Sequence, residues 1–248
     1  MKKSLLILLI IALIYSCEKK DPLPPNTYEV TVSAKGIVNG LRAYIKIVDN
    51  RKEISLDTAI VMNELFTFRG EIMGSAIRVI TINSVQGILP FVLEPGRTTI
   101  EIYKDSIYTS KIGGTDNNKD FNLYKTEYRK KNNAITELRT QVKKARQKRN
   151  QVELDILKVK NIELVDALNS YAHEFIEEHP DSDLSLLMLE SQLIGQNQNI
   201  ERIKENMIML NDVINKNSSN KLIGQKIEEF LLITSFSIII FSLILSIF

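Results

Sequence analysis

The spacing of apolar residues changes once along this chain, and that change bounds what it can fold into. From Thr27 to Gly114 they recur at every second position; from Thr115 onward they recur at alternating intervals of three and four. A period of two matches a strand with one face buried, and the longer intervals match a helix laid along a partner. A β domain over residues 27–114 and a helical region over 115–232 are therefore predicted. This is the α+β class, with strands and helices segregated along the chain. There is no βαβ rhythm, which argues against a nucleotide-binding parallel sheet.

Within the first part, "TYEVTVS" puts Tyr28, Val30 and Val32 on one face and Thr27, Glu29, Thr31 and Ser33 on the other. Asn39-Gly40 stands between "GIV" and "LRAYIKIV". Both residues tolerate positive φ, so the pair predicts a type I′ hairpin joining two antiparallel strands. Asn63-Glu64 reads the same way, turning "TAIVM" into Leu65–Gly70 with Phe66 and Phe68 inward. "AIRVITI", "ILPFVLEPG", "TTIEIYK" and "SIYTSKI" continue the pattern, with Pro95-Gly96 and Lys104-Asp105 as turns. Some seven or eight short strands at this spacing predict an antiparallel β-sandwich or open barrel. The glycines of "GIVNG" and "KIGGTD" lack the lysine-serine pair of a phosphate loop and read as turns. The inward Phe and Ile stripes read as core, not as a ligand pocket.

In the second part, Phe121, Tyr124, Tyr128, Lys131, Ile135, Leu138, Val142 and Ala145 form one helical seam, interrupted at Lys131. Leu154, Leu157, Asn161, Leu164, Leu168, Tyr171 and Phe175 form another. A tight turn near Asn150 joins the two into an antiparallel hairpin. Lys125 to Arg149 holds ten basic and two acidic residues, and Glu153 to Glu190 holds ten acidic and two basic. The hairpin is thus expected to complement itself through ion pairs along a solvated face, each worth well under ~1 kcal/mol. Pro180 ends the second helix, and Asp181 or Ser182 caps a third carrying Leu186, Leu187 and Leu189, which Gly195 stops. "NIERIKENMIMLNDVI" and "NKLIGQKIEEFLL" complete a small helical array. His173 and His179 are six apart, not the i, i+4 of a zinc pair, and both are assigned to the surface.

The chain carries 32 Lys and Arg against 30 Asp and Glu, so no global field draws it to nucleic acid. "KKARQKR" is read as one side of the charged hairpin. Cys17 is the single cysteine, which leaves no intramolecular disulfide, no CxxC redox pair and no cysteine-rich metal site. No metal ligand set, cofactor motif or catalytic constellation can be picked out by spacing, so a non-catalytic protein is expected. Before Cys17 stand Lys2 and Lys3, an apolar run from Leu5 to Ile14, then Tyr15 and Ser16. This is the layout of a signal peptide over residues 1–16. Its end resembles a relaxed bacterial lipobox, which implies cleavage before Cys17, a diacylglycerol on its sulfur and acylation of the new amine. Two or three acyl chains hold a protein to a bilayer, so membrane attachment through Cys17 is expected. Residues 17–26 then form a short tether whose Pro22, Pro24 and Pro25 favour extended backbone.

The order of these elements has a counterpart. The lipobox, "LDTAIVMNELFTFRGEI", "FVLEPGRTTIEI", "GGTDNNKDFNLYKTEY", the charged hairpin, "FIEEHPDSDLSLLML" and "NKLIGQKIEEFL" together resemble the N-terminal region of Bacteroidetes envelope lipoproteins. In those proteins an uncharacterised domain of strands and helices precedes a thioredoxin-like domain of the TlpA/ResA or AhpC/TSA kind. Many relatives place glycine where Glu64 stands. The resemblance implies a bacterial envelope address, on the periplasmic face of the inner or outer membrane or at the cell surface. It does not carry over redox activity, because this sequence has no Trp and no CxxC. A binding or interaction module is expected, with a partner subunit of a separate thioredoxin-like enzyme and a small-ligand or glycan-binding uptake lipoprotein as the alternatives. The apolar tail over 233–248 continues "FLLITSFSIIIFSLILSIF", which begins at Phe230 and is uncharged. It reads either as a membrane span or as the product of a truncated or frame-shifted coding sequence, and the second account is preferred here because only Ile, Leu, Phe, Ser and Thr occur in it.

Overall fold

The computed structural model describes residues 21–49, 52–193 and 199–245. Among these residues eight strands form two four-stranded sheets, followed by helices, and the sheets do not close into a barrel. The strands are β1 (Thr27–Ser33), β2 (Arg42–Asp49), β3 (Lys52–Ile60), β4 (Leu65–Glu71), β5 (Ala76–Ile82), β6 (Leu89–Leu93), β7 (Gly96–Glu101) and β8 (Lys111–Gly113). One sheet has the order β4-β1-β7-β8, the other β3-β2-β5-β6. All pairings are antiparallel except β1 with β7, which runs parallel with Val30 opposite Thr98 and Val32 opposite Ile100. The inner faces bury Val30, Val32, Phe68, Ile45, Ile80 and Phe91 in one core between the sheets. Tyr28 closes one side of that core, its hydroxyl donating to Asp57 Oδ2 across the sandwich at 3.1 Å.

Two local expectations fail and a third is met. Asn39-Gly40 does not make a hairpin, because β1 pairs with β4 and β7 and the chain crosses to the other sheet before β2 begins. Gly40 has φ +86, Asn39 Oδ1 accepts from the Asn63 amide at 2.8 Å, and "GIV" is a connection whose Ile37 plugs the core. The segment "SIYTSKI" is not one strand. It forms a 3₁₀ turn over Ile107–Thr109, which buries Ile107, and then the three-residue β8. Asn63-Glu64 does adopt the left-handed pair of angles, φ +50 and +59, with reciprocal Met62–Leu65 backbone hydrogen bonds. It is a corner between sheets, and Glu64 Oε1 accepts from the Gly36 amide at 2.9 Å.

Gly114 ends the β domain with φ +107, and a Cβ there would collide with the Arg97 carbonyl oxygen. Helix α1 (Asp116–Gln147) starts two residues later and α2 (Gln151–Glu178) returns along it. Their turn is tight: Arg149 has φ +54, and Asn150 caps α2 by accepting from the Glu153 amide at 3.2 Å. Ile135, Leu138, Ala145 and Leu157 are buried in the seam, and the interrupting Lys131 lies over the Tyr171 ring at 5.1 Å. Ser182 caps α3 (Asp183–Gln192), accepting from the Leu184 amide at 3.2 Å. Then come α4 (Ile200–Met209), α5 (Asn211–Asn215) and α6 (Ser218–Leu245). Gly195 lies outside the described residues. The last helix passes through position 232 without a break. Among the described residues no helix is long and apolar enough to cross a membrane, and the tail's side chains beyond Ser235 lie outside them.

Two expectations about charge are corrected. His173 is not on the surface: it is 5% exposed, and its Nδ1 lies 2.5 Å from Asn206 Oδ1 on α4. His179 is exposed, beside the Phe175 ring. The charged hairpin does not pair across itself. Among the described residues the ion pairs run within one helix, as Lys130–Glu127 and Lys158–Asp155, or to later helices, as Arg202–Glu177 and Lys226–Glu190. A seam of buried apolar side chains keeps the long charged ones on the flanks, where the nearest opposite charge is one turn away on the same helix.

Candidate functional site

The β domain and the helices meet along β6. It is an edge strand, and its unpaired backbone groups are met by side chains of α1. Asn118, fully buried, accepts from the Val92 amide at 2.9 Å and donates to the Val92 carbonyl at 2.8 Å, replacing a neighbouring strand. Seven residues on, Lys125 Nζ donates to the Pro90 carbonyl at 3.0 Å. Asn122 Nδ2 donates to the Ile112 carbonyl. The outer face of β6 presents Val92 to Phe121 and Tyr124, joining the sheet to the helical core. On either side of this join lies a cavity.

The first is a groove of about 820 Å³. Ile77 and Pro90 from the sheet face Phe121, Tyr124 and Tyr128 from α1, while Leu168 and Ala172 from α2 and Met188 from α3 complete the apolar wall. The aromatics form a ladder. Tyr124 stacks near-parallel with Phe121, Tyr128 and Tyr171 at 6.3, 6.1 and 5.0 Å between centroids, and it meets Phe175 edge-on at 5.3 Å. Burial raises the Tyr124 hydroxyl well above the ordinary tyrosine value, so it stays a neutral donor. Tyr128 is half-exposed and leaves a free aromatic surface at the mouth. Asn132, Asn133, Asn169 and Gln192 form a polar rim. The charged members are Lys125 and Arg129, and among the described lining residues there is no Asp or Glu. Burial, then the neighbouring Arg129, pushes the Lys125 amine down to about 8. Its Nζ also lies 5.0 Å from the Phe121 ring centroid.

The second cavity, about 760 Å³, opens where α1 begins and α2 turns into α3. Glu94, Asp116, Asp120, Glu178, Asp181 and Asp183 line it with Lys216. Several of these have structural duties. Asp116 is held below the usual carboxylate range by Lys119, and it and Asp183 occupy first turns, where negative charge suits the helix dipole. Asp183 Oδ1 accepts from Lys216 and Asn220, each at 3.1 Å. Glu94 Oε2 accepts from Ser75 and Asn117, and its buried Oε1 has no protein partner. Among the described residues no group of three or more His, Cys, Asp or Glu could hold a metal ion.

Cys17, the one site residue that the sequence singles out, lies outside the described residues. Lys125 was legible only as the first of ten basic residues. The available signal was its place one residue after Tyr124 and four after Phe121, on the flank of the aromatic seam.

Residues 28–121 match the family model described as a domain of unknown function, DUF4369. The match covers the whole sandwich and the first residues of α1, including Asn118. No curated protein and no solved structure matches this chain.

Proposed function

We propose that this chain is a non-catalytic, lipid-anchored protein of the bacterial cell envelope. In this reading the sandwich and helical hairpin form a binding module related to the accessory N-terminal region of thiol-disulfide oxidoreductases. The observation that carries the binding role is the groove between β6 and α1. It is concave, mostly apolar, lined by stacked rings and provided with a few convergent polar groups, which is the usual make-up of a small-ligand site. The sequence pattern around Cys17 carries the anchor.

Titrating the full chain with 2-naphthylmethanol, a neutral aryl probe, tests the groove. Saturable binding is expected, weakened at least tenfold in Leu168→Trp, which fills the groove, and several-fold in Tyr128→Ala, which removes the half-exposed ring. Binding indifferent to both substitutions places the probe elsewhere and overturns the reading. Growth with labelled palmitate tests the anchor: label is expected on the wild type and not on Cys17→Ala, and an unlabelled wild type overturns it.

A second reading has its own support. On α2, Val152, Ile156, Val159 and Ile162 are each more than half exposed, at spacings of four, three and three, on the side away from the seam. Such a stripe suits a protein partner, which favours a subunit that assists a separate thioredoxin-like enzyme. Crosslinking through Ile156→Cys in whole cells would capture that enzyme; capture of no thioredoxin-like protein would count against it.

A further inference from the structure

The two charges of the groove have the same sign and, among the described residues, no counter-ion. Lys125 and Arg129 stand four residues apart on α1, a spacing at which like charges repel. Neither makes an ion pair among the described residues. Two other cations of this helix are paired, Lys119 with Asp116 at 2.8 Å and Lys130 with Glu127 at 2.5 Å, while Arg139, Lys143, Lys144 and Arg146 are unpaired among the described residues but exposed to water. Those pairs are exposed, whereas Lys125 is partly buried against Phe121, and half-buried Arg129 lines the same wall. Positive charge withdrawn from water without compensation is unfavourable, and an incoming anion relieves it. Lys125 spends one of its three N–H donors on Pro90, leaving two. The Arg129 guanidinium offers the planar fork that matches a carboxylate. Beside them, Tyr128 presents a ring face and Tyr124 continues the stack, a wall suited to a flat body.

We infer that the groove takes an aromatic carboxylate, its carboxylate set between Lys125 and Arg129 and its ring laid against the half-exposed Tyr128, which the buried Tyr124 backs. This rests on the groove being the binding site. The titratable groups around Lys125 are Tyr108 from the 3₁₀ turn, Lys111 from β8, and Tyr124, Tyr128 and Arg129 from α1. The faces of β5, β6 and α3 toward it contribute Ile77, Pro90 and Met188, which do not titrate. No acid among the described lining residues competes with the ligand.

The test compares three probes on the full chain by calorimetry: 2-naphthoate, 2-naphthylmethanol and 2-naphthylmethylamine as its cation. At pH 7, naphthoate is expected to bind at least tenfold tighter than the alcohol, and the ammonium weakest of the three. Arg129→Gln, which removes no contact that holds the fold, is expected to weaken naphthoate five- to tenfold and leave the alcohol unchanged. Lys125→Met should do the same and also flatten the loss of naphthoate affinity between pH 7 and 9.5. Equal affinity for naphthoate and alcohol, a preference for the ammonium, or an unchanged affinity in Arg129→Gln overturns the anion assignment while leaving a groove that binds. Decanoate binding as tightly as naphthoate overturns the aromatic body. No binding by any probe overturns this inference together with the binding reading on which it stands.

Discussion

The two cavities beside β6 are of similar size, and they differ in how their charges are settled. In the acidic cleft, two carboxylates sit in the first turns of helices, Asp116 and Asp183 have lysine partners, and Glu94 is hydrogen-bonded through one oxygen. In the groove, Lys125 meets a carbonyl and a ring, and Arg129 has no ion-pair partner among the described residues. Half of that larger collection, Glu94, Asp116 and Asp183, is therefore architecture, and the other half, Asp120, Glu178 and Asp181, stands at the water-facing rim of an acidic cleft that would repel an anion. The smaller collection is where an outside molecule has something to supply. Counting charges alone would favour the cleft; asking what each charge is bonded to is what favours the groove in the proposed reading.

Several measurements would sharpen or break that contrast. Gly114 walls the cleft, and Gly114→Ala must force a side chain into the Arg97 carbonyl at a positive φ. A loss on the order of 3 kcal/mol or more is expected in urea unfolding. A near-neutral result would mean that the junction is pliant and the cleft is not a fixed structure. Asn118 is the strut between both cavities, and Asn118→Ala leaves the Val92 amide and carbonyl unpaired. A loss of roughly 2–3 kcal/mol is expected, accompanied by weaker naphthoate binding as the Tyr124 wall shifts.

The pH dependence of stability tests the groove's cation. Lys125 has a folded value lowered to about 8 from an ordinary 10.5, so below about pH 8 the folded state carries the full penalty of a buried ammonium. The folded state sheds that proton first, and stability is expected to rise as pH climbs from about 8 toward the ordinary lysine value. Tyr28 works in the opposite sense, its hydroxyl pushed up to about 12 by burial and by Asp57. Its contribution is fully present below the ordinary 10.0 and is lost as pH rises from there through the folded value. The urea midpoint should thus rise from about pH 8 and pass through a maximum near pH 10, and Lys125→Met should remove the rising limb. A wild-type curve without that limb would show that the Lys125 ammonium is not strained.

Smaller effects belong to the cleft. Glu94→Gln keeps the shape and one acceptor while removing a buried charge from among like charges, so stability should rise by about 1 kcal/mol. A loss of similar size would show that the unpaired Oε1 is satisfied by something the fold depends on. Asp181→Asn should change naphthoate affinity less than about twofold, since separated sites act independently. A larger change would couple the two cavities.

How much of this was legible follows from what each signal reports. The succession of strands and then helices, the inward Phe66 and Phe68 and the turn near Asn150 were read correctly, and of the two caps offered, Asp181 and Ser182, the structure uses Ser182, because each of these signals is written within a few residues. Asn39-Gly40 was misread because a turn-forming dipeptide specifies a bend, not which strands flank it. His173 was misread because its spacing from His179 excluded a zinc pair but held no information about Asn206, thirty-three residues away. The expected ion pairing across the hairpin was misread because opposite totals on two helices do not place any two side chains within reach.

By itself the sequence determined the class of most segments, though not of Ile107–Thr109, since periodicity, turn chemistry and capping act through neighbours along the chain. Tertiary structure alone decided the sheet order that seats β1 between β4 and β7, the burial of His173, and the pairing of α1 with β6 that makes one groove aromatic and positively charged. The physical reason is that a period names the face a side chain turns inward but not the surface it meets. That surface is chosen by closing long loops around whichever partner buries the most apolar area and leaves the fewest backbone groups unpaired.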